Sequence, residues 1–150
     1  MKIRAFLLIA ISICFLGCGE TKPITVEIKD VCSQTTGTNV SIQGYLSLPE
    51  MLEVTKFTRG GQGSSMNYKL FLMTKQDATG DAVPVILSAT GISEPNKIKT
   101  LPDKHNWSDL VAYTEDGKTS VAGNLVKLTG TVKPNDKSGC QVNVMKIENP

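Results

Sequence analysis

Polar and apolar residues alternate along five stretches of the chain with the period of two that is typical of half-buried β-strands. These stretches span residues 40–48, 68–72, 83–89, 126–132 and 140–147. Gly44 takes the place of an inward side chain in the first strand, which predicts a bend or bulge there. In the fifth strand the apolar parity changes after Val144 to Met145 and Ile147, which predicts a bulge near its end.

The segments between these strands have the composition of turns and loops. Residues 49–66 contain Pro49 and a glycine-rich run and are predicted to be a loop, and residues 76–81 are predicted to turn around Thr79 and Gly80. Pro84 belongs near the start of the third strand or on a sheet edge, because it cannot donate to the ladder. The one helical signal is a short stretch over residues 107–113, with Ser108 as its predicted cap.

The predicted pattern resembles the oligonucleotide/oligosaccharide-binding (OB) type of barrel. It has five strands, a long connection after the third, and glycines inside the first and fourth. The resemblance lies in VSIQGYLSL at 40–48 and in LVKLTGTVKPNDKSGCQVNVMKIE at 125–148. It implies an all-β fold, a small five-stranded OB-like barrel over residues 24–150 with at most one short helix. A small β-sandwich would give nearly the same pattern and is the alternative.

The first twenty residues have the organisation of an export signal. Lys2 and Arg4 precede an apolar run over residues 5–16, which is too short to cross a bilayer. The run ends in Phe15-Leu16-Gly17-Cys18, which resembles the lipobox of bacterial lipoproteins. The resemblance implies that residues 1–17 are removed, that Cys18 carries a thioether-linked diacylglycerol, and that residues 18–23 form a short tether. A plain secretory signal is the alternative.

Removal of the signal changes the charge balance and the cysteine count. Without Lys2 and Arg4, the 16 basic residues of the chain become 14, equal to its 14 acidic residues. A neutral domain in the envelope makes nucleic acid an unlikely partner. Cys14 leaves with the signal and Cys18 is lipidated, so Cys32 and Cys140 remain and are predicted to form one disulfide in an oxidising compartment.

The sequence carries no recognisable active site. Its single histidine, His105, lies in a polar run and is interpreted as a solvated loop residue, with no serine or cysteine nucleophile beside it. No metal-ligand cluster is present, and no cofactor is predicted. Tyr68 and Phe71 fall on opposite faces of the second strand, so at most one could stack on a nucleic-acid base. We therefore expect that the protein is not an enzyme.

A ligand surface is predicted where the loop at 56–65 meets the turn at 134–139, the two loops that frame the ligand face of many OB barrels. Its candidate residues are Lys56, Phe57, Arg59 and Lys137, with Lys133 adding positive charge. The expected function is non-catalytic binding of an envelope protein, an anionic glycan or a small envelope ligand. A structural or assembly role and a single-stranded nucleic-acid module are the alternatives. Gly19, where some lipoproteins carry an inner-membrane retention aspartate, favours the outer membrane.

Overall fold

The computed structural model describes residues 22–58 and 64–150. The predicted signal peptide, the predicted lipidation site Cys18, and Arg59 lie outside the described residues. Ten strands are present: β1 (Ile24–Thr25), β2 (Asn39–Ser47), β3 (Glu53–Thr58), β4 (Ser64–Met73), β5 (Ala82–Thr90), β6 (Lys97–Lys99), β7 (Val111–Tyr113), β8 (Thr119–Val121), β9 (Leu125–Asn135) and β10 (Gly139–Glu148). Two 3-10 helices, Ile28–Ser33 and Trp107–Asp109, are the only helices in these ranges, and neither is long enough to cross a membrane.

Five of the strands close into a ring. Going around it, β2 pairs with β4, β4 with β5, β5 with β10, β10 with β9, and β9 returns to β2. The β5–β10 contact is parallel and the other four are antiparallel. The predicted all-β, OB-like barrel is confirmed, and the closed ring excludes the alternative of two separate packed sheets.

Alternation along the five ring strands fills the barrel with one apolar core. The inward positions are aliphatic and fully buried, among them Ile42, Leu70, Leu72, Leu87, Leu128 and Ile147. The same alternation turns the intervening side chains of each strand to the outer surface. The core therefore fixes which residues of β4 and β5 face outward, and these form the floor of the site described below.

Two glycines are required where strands approach closely. A Cβ on Gly44 would lie 2.5 Å from the Met73 carbonyl oxygen, and one on Gly130 would lie 2.7 Å from Val142 Cγ1 and closer still to the Asn143 backbone oxygen. The predicted bend at Gly44 does not shift the register, because β2 pairs continuously with β9 through this residue. The predicted bulge in β10 is confirmed, since the register shifts between Val144 and Lys146.

Replacing Gly130 with alanine is expected to destabilise the barrel by about 1–3 kcal/mol, because the new methyl group must displace backbone in the β9–β10 hairpin. Gly91→Ala is the matched control, since a Cβ at Gly91 meets no atom within 4 Å. Urea unfolding followed by circular dichroism measures both variants. Equal midpoints for the two variants would contradict the packing argument.

Three parts of the fold differ from the sequence prediction. Residues 49–66 are not simply a loop, because they contain β3 and the start of β4, which pair as an antiparallel ladder. The predicted helix at 107–113 is one 3-10 turn, capped by Asn106 with Asp109 and not by Ser108, followed directly by β7. Strands β6, β7 and β8 extend the sheet from β5. Each is three residues long, too short for an alternating pattern of its own, and is held by pairing with its neighbours.

A disulfide joins Cys32 to Cys140, as predicted, with 5.3 Å between their Cα atoms. Cys32 lies in the first 3-10 helix, whose Ile28 and Val31 are buried in the barrel core. Cys140 is buried at the start of β10. The bridge therefore fastens the helix that covers the core to the strand that closes the ring.

Candidate functional site

An outward-facing cleft of about 230 Å³ lies over the outer surface of β4 and β5. Lys69 and Phe71 of β4 alternate with the inward Tyr68, Leu70 and Leu72, so their side chains face outward. Pro84 of β5 pairs with Phe71 and continues the floor. The complete lining consists of Pro49, Met51, Glu53, Lys69, Phe71, Pro84, Lys137 and Ser138.

One wall of the cleft is an interruption between β2 and β3. Ser47 of β2 pairs with Phe71, and Glu53 of β3 pairs with Lys69, so the two strands run along the same edge of β4. An uninterrupted strand would need only one residue between the partner of Phe71 and the partner of Lys69. The chain has five residues there, 48–52. The extra residues leave the ladder and place Pro49 and Met51 over the cleft, where Met51 is 84% exposed.

The opposite wall is the turn between β9 and β10. Asn135 Oδ1 accepts hydrogen bonds from the backbone N–H groups of Lys137 and Ser138, at 3.0 and 3.2 Å. Gly139 ends the turn with a φ of +76°, a conformation that favours glycine. These contacts fix the turn backbone and position Lys137 at the cleft.

Three charged side chains meet across the cleft. Glu53 accepts from Lys137 Nζ at 2.8 Å through one carboxylate oxygen and from Lys69 Nζ at 3.2 Å through the other. The hydrogen bonds from Lys137 and then Lys69 hold the pKa of Glu53 below its usual value, and the carboxylate raises the pKa of Lys137. Two lysines and one glutamate give the cluster one formal net positive charge.

The cleft combines this charge with an apolar floor. The half-buried Phe71 offers an aromatic surface to a ring, with the buried Pro84 paired beside it, and Met51 offers an adaptable apolar contact. The lysines offer ammonium donors to an acidic group, which must compete with Glu53 for them. The arrangement therefore suits a compact acidic ligand with a ring or other apolar face.

The ligand residues predicted from the sequence do not lie on one surface. Lys137 lies in the cleft, and Phe57 shares the Glu53 face of β3 because the two are four residues apart. Lys56 faces the other side of β3 and lines a different groove. Lys133 is exposed on β9, and Arg59 lies outside the described residues. The structure therefore does not bring Lys56 and Lys137 into one surface.

Sequence analysis missed Glu53, Lys69 and Phe71 as site residues. The signal for Lys69 and Phe71 was present, since both occupy the polar parity of a predicted strand in which Tyr68, Leu70 and Leu72 are inward. No comparable signal marked Glu53, because the strand that carries it was predicted to be a loop.

His105 is half-buried and lines the second groove, between β3, β4 and the segment at 100–105. Its Nδ1 lies 3.2 Å from the Pro102 carbonyl oxygen, so the ring is oriented by the backbone and not by a carboxylate. Within residues 22–58 and 64–150, no three His, Cys, Asp or Glu side chains group as a metal site would require.

Comparison with models of known protein families and with curated proteins gives no match. Function is therefore inferred from the residues and geometry of this chain.

Proposed function

We propose that this is a lipid-anchored cell-envelope protein whose barrel binds an envelope ligand without catalysis, with the cleft over β4 and β5 as the binding site. A protein, a glycan or a small molecule could supply the ligand group, and the cleft favours an anionic glycan. The observation that carries the proposal is the Lys69–Glu53–Lys137 cluster beside the floor of Phe71 and Pro84. Sugar rings pack on such floors, and acidic substituents bind lysine ammonium groups.

The anchor is supported by the sequence at the amino terminus. The basic residues, the short apolar run and Gly17-Cys18 resemble a lipoprotein signal. Ile24 already pairs with Val40, so the six residues 18–23 separate the predicted lipid from the sheet. Six extended residues span at most about 20 Å. The proposal therefore puts the barrel close to the membrane, with the outer membrane favoured because Gly19 follows the cysteine.

We do not extend the proposal to single-stranded nucleic acid. Stacking sites for successive bases need several outward aromatic side chains along a basic groove. Tyr68 is instead buried, with its hydroxyl accepting the Leu101 N–H. Phe71 is the one aromatic residue in the lining of the cleft.

The charge cluster gives variants with opposite expected effects. Glu53→Gln removes the internal competitor for Lys69 and Lys137, so it is expected to tighten binding of an acidic sugar several-fold. Lys137→Gln removes a donor and is expected to weaken binding about tenfold, equivalent to about 1.4 kcal/mol. Isothermal titration with a uronic-acid trisaccharide, and with the neutral trisaccharide of the same linkage, measures both effects.

Lys127→Gln is the matched control, because Lys127 forms its ion pair with Glu148 and does not line the cleft. The neutral trisaccharide is expected to bind weakly and to be insensitive to all three substitutions. The assignment of the cleft would be contradicted if the acidic trisaccharide does not bind. It would also be contradicted if Glu53→Gln and Lys137→Gln leave its affinity unchanged.

A further inference from the structure

A second groove, of about 340 Å³, lies on the other face of the β3–β4 hairpin. One wall is formed by the side chains of β3 and β4 on the face of the hairpin that carries Tyr68, and the other by the segment at 100–105. Its lining shares no residue with the cleft that contains Lys137. Its volume falls within the range of small-molecule sites, and Val54, Met66 and Leu101 make much of its surface apolar.

Tyr68 supplies a fixed polar group to this groove. The side chain is 3% exposed, and its Oη accepts the backbone N–H of Leu101 at 3.3 Å. That bond uses the oxygen as an acceptor and leaves the hydroxyl hydrogen to be donated. Among the residues that the structure describes, no acceptor takes this hydrogen. An occupant of the groove with an acceptor group would satisfy it.

His105 presents the complementary group from the other wall. A carbonyl oxygen can only accept, so the contact between Nδ1 and the Pro102 oxygen puts a hydrogen on Nδ1. In the neutral ring Nε2 is then an acceptor. Asp103, two residues earlier, lines the same groove with a carboxylate. This wall therefore accepts hydrogen bonds and attracts positive charge.

The opposite charges of the groove are on its two walls. Lys56 lies on β3 and Asp103 on the facing segment, and in the described part of the chain neither forms an ion pair with the other or with a third residue. A simple apolar acid would leave Asp103 and His105 beside its hydrocarbon, at a desolvation cost. A sugar has no aliphatic chain to cover Val54, Met66 and Leu101. A molecule with an anionic end, an apolar body and a cationic end would match Lys56, the apolar side chains of the groove and Asp103, respectively.

We infer that this groove is a binding site for a short apolar peptide, or an apolar amino acid, with free termini. Its carboxylate would bind Lys56 Nζ and the Tyr68 hydroxyl, and its ammonium would bind Asp103 and His105 Nε2. Its aliphatic side chains would cover Val54, Met66 and Leu101. The site is separate from the cleft of the proposed function, and it requires neither that cleft nor the lipid.

The test is an NMR titration of the barrel domain with leucine, leucyl-leucine and trileucine. At least one is expected to shift the Met66 methyl and His105 ring signals in a saturable way, with the Phe71 signals unchanged. The N-acetylated and C-amidated forms of the ligand that binds each lack one terminal charge. Each is expected to bind at least tenfold more weakly.

Substitutions at Lys56 and Asp103 test which wall of the groove binds which terminus of the peptide. Lys56→Gln is expected to weaken binding of the free peptide about tenfold and to leave binding of the C-amidated form unchanged, because that form has no carboxylate to lose. Asp103→Asn should behave in the same way toward the N-acetylated form. Lys118→Gln, which affects an ion pair with Asp116 outside the groove, is the control. The inference is overturned if none of the three ligands shifts the groove signals, if the shifts are at Phe71, or if both variants bind like the unsubstituted protein.

Discussion

Replacing Cys32 and Cys140 together with serine is expected to lower the free energy of unfolding by about 4 kcal/mol. The bridge closes a loop with a sequence separation of 108, and the chain-entropy model assigns a loss of this size to such a loop. For a domain of this length the melting temperature should fall by roughly 10–20 °C. The first 3-10 helix should lose protection from hydrogen exchange first, because the bridge holds it to β10.

The unsubstituted protein treated with a reductant is the control, and its melting temperature should equal that of the double variant. Thermal unfolding followed by circular dichroism, with thiol alkylation before and after reduction, measures both. Two freely alkylated thiols in the exported protein, or a melting temperature unaffected by the double substitution, would show that the bridge does not stabilise the domain.

Replacing Cys18 with serine is expected to release the protein from the membrane fraction almost completely. The thioether requires the cysteine sulfur, and a mature domain with equal numbers of basic and acidic residues has no net charge to hold it at a membrane once the acyl chains are lost. Fractionation of bacteria expressing the full chain, together with labelling by a clickable fatty acid, measures the effect.

Cys14→Ser is the matched control for this change. Cys14 lies inside the predicted signal, so its loss should affect neither labelling nor membrane retention. Fatty-acid labelling that persists in the Cys18→Ser variant would rule out Cys18 as the lipid attachment site.

The five ring strands could be predicted because each alternates apolar and polar residues over enough positions to define a face. Strand β3 could not, because Val54 and Phe57 are an odd number of residues apart and fall on opposite faces. Both are largely exposed, and the strand is held by its ladder with β4. The strands β6, β7 and β8 were missed because three residues are too few to show an alternation of their own.

Of the three charged residues in the cleft, only Lys137 was predicted from the sequence. Analogy with OB barrels pointed to the turn that carries Lys137, and the structure puts that residue in the cleft. The two partners of its charge cluster, Glu53 and Lys69, come from separate strands, and only the tertiary fold brings them together. Sequence proximity grouped Lys56 with Phe57, whereas the alternation of β3 separates them onto opposite faces. Charge counts from a sequence cannot resolve such pairings.

We propose that the barrel is held at a membrane by lipid on its first mature residue. The most direct measurement is mass spectrometry of the amino-terminal peptide of the protein purified from bacterial membranes. We expect a peptide that begins at Cys18 and carries a diacylglycerol on the sulfur. A peptide that begins at Met1, or one that begins at Cys18 or elsewhere without lipid, would contradict it.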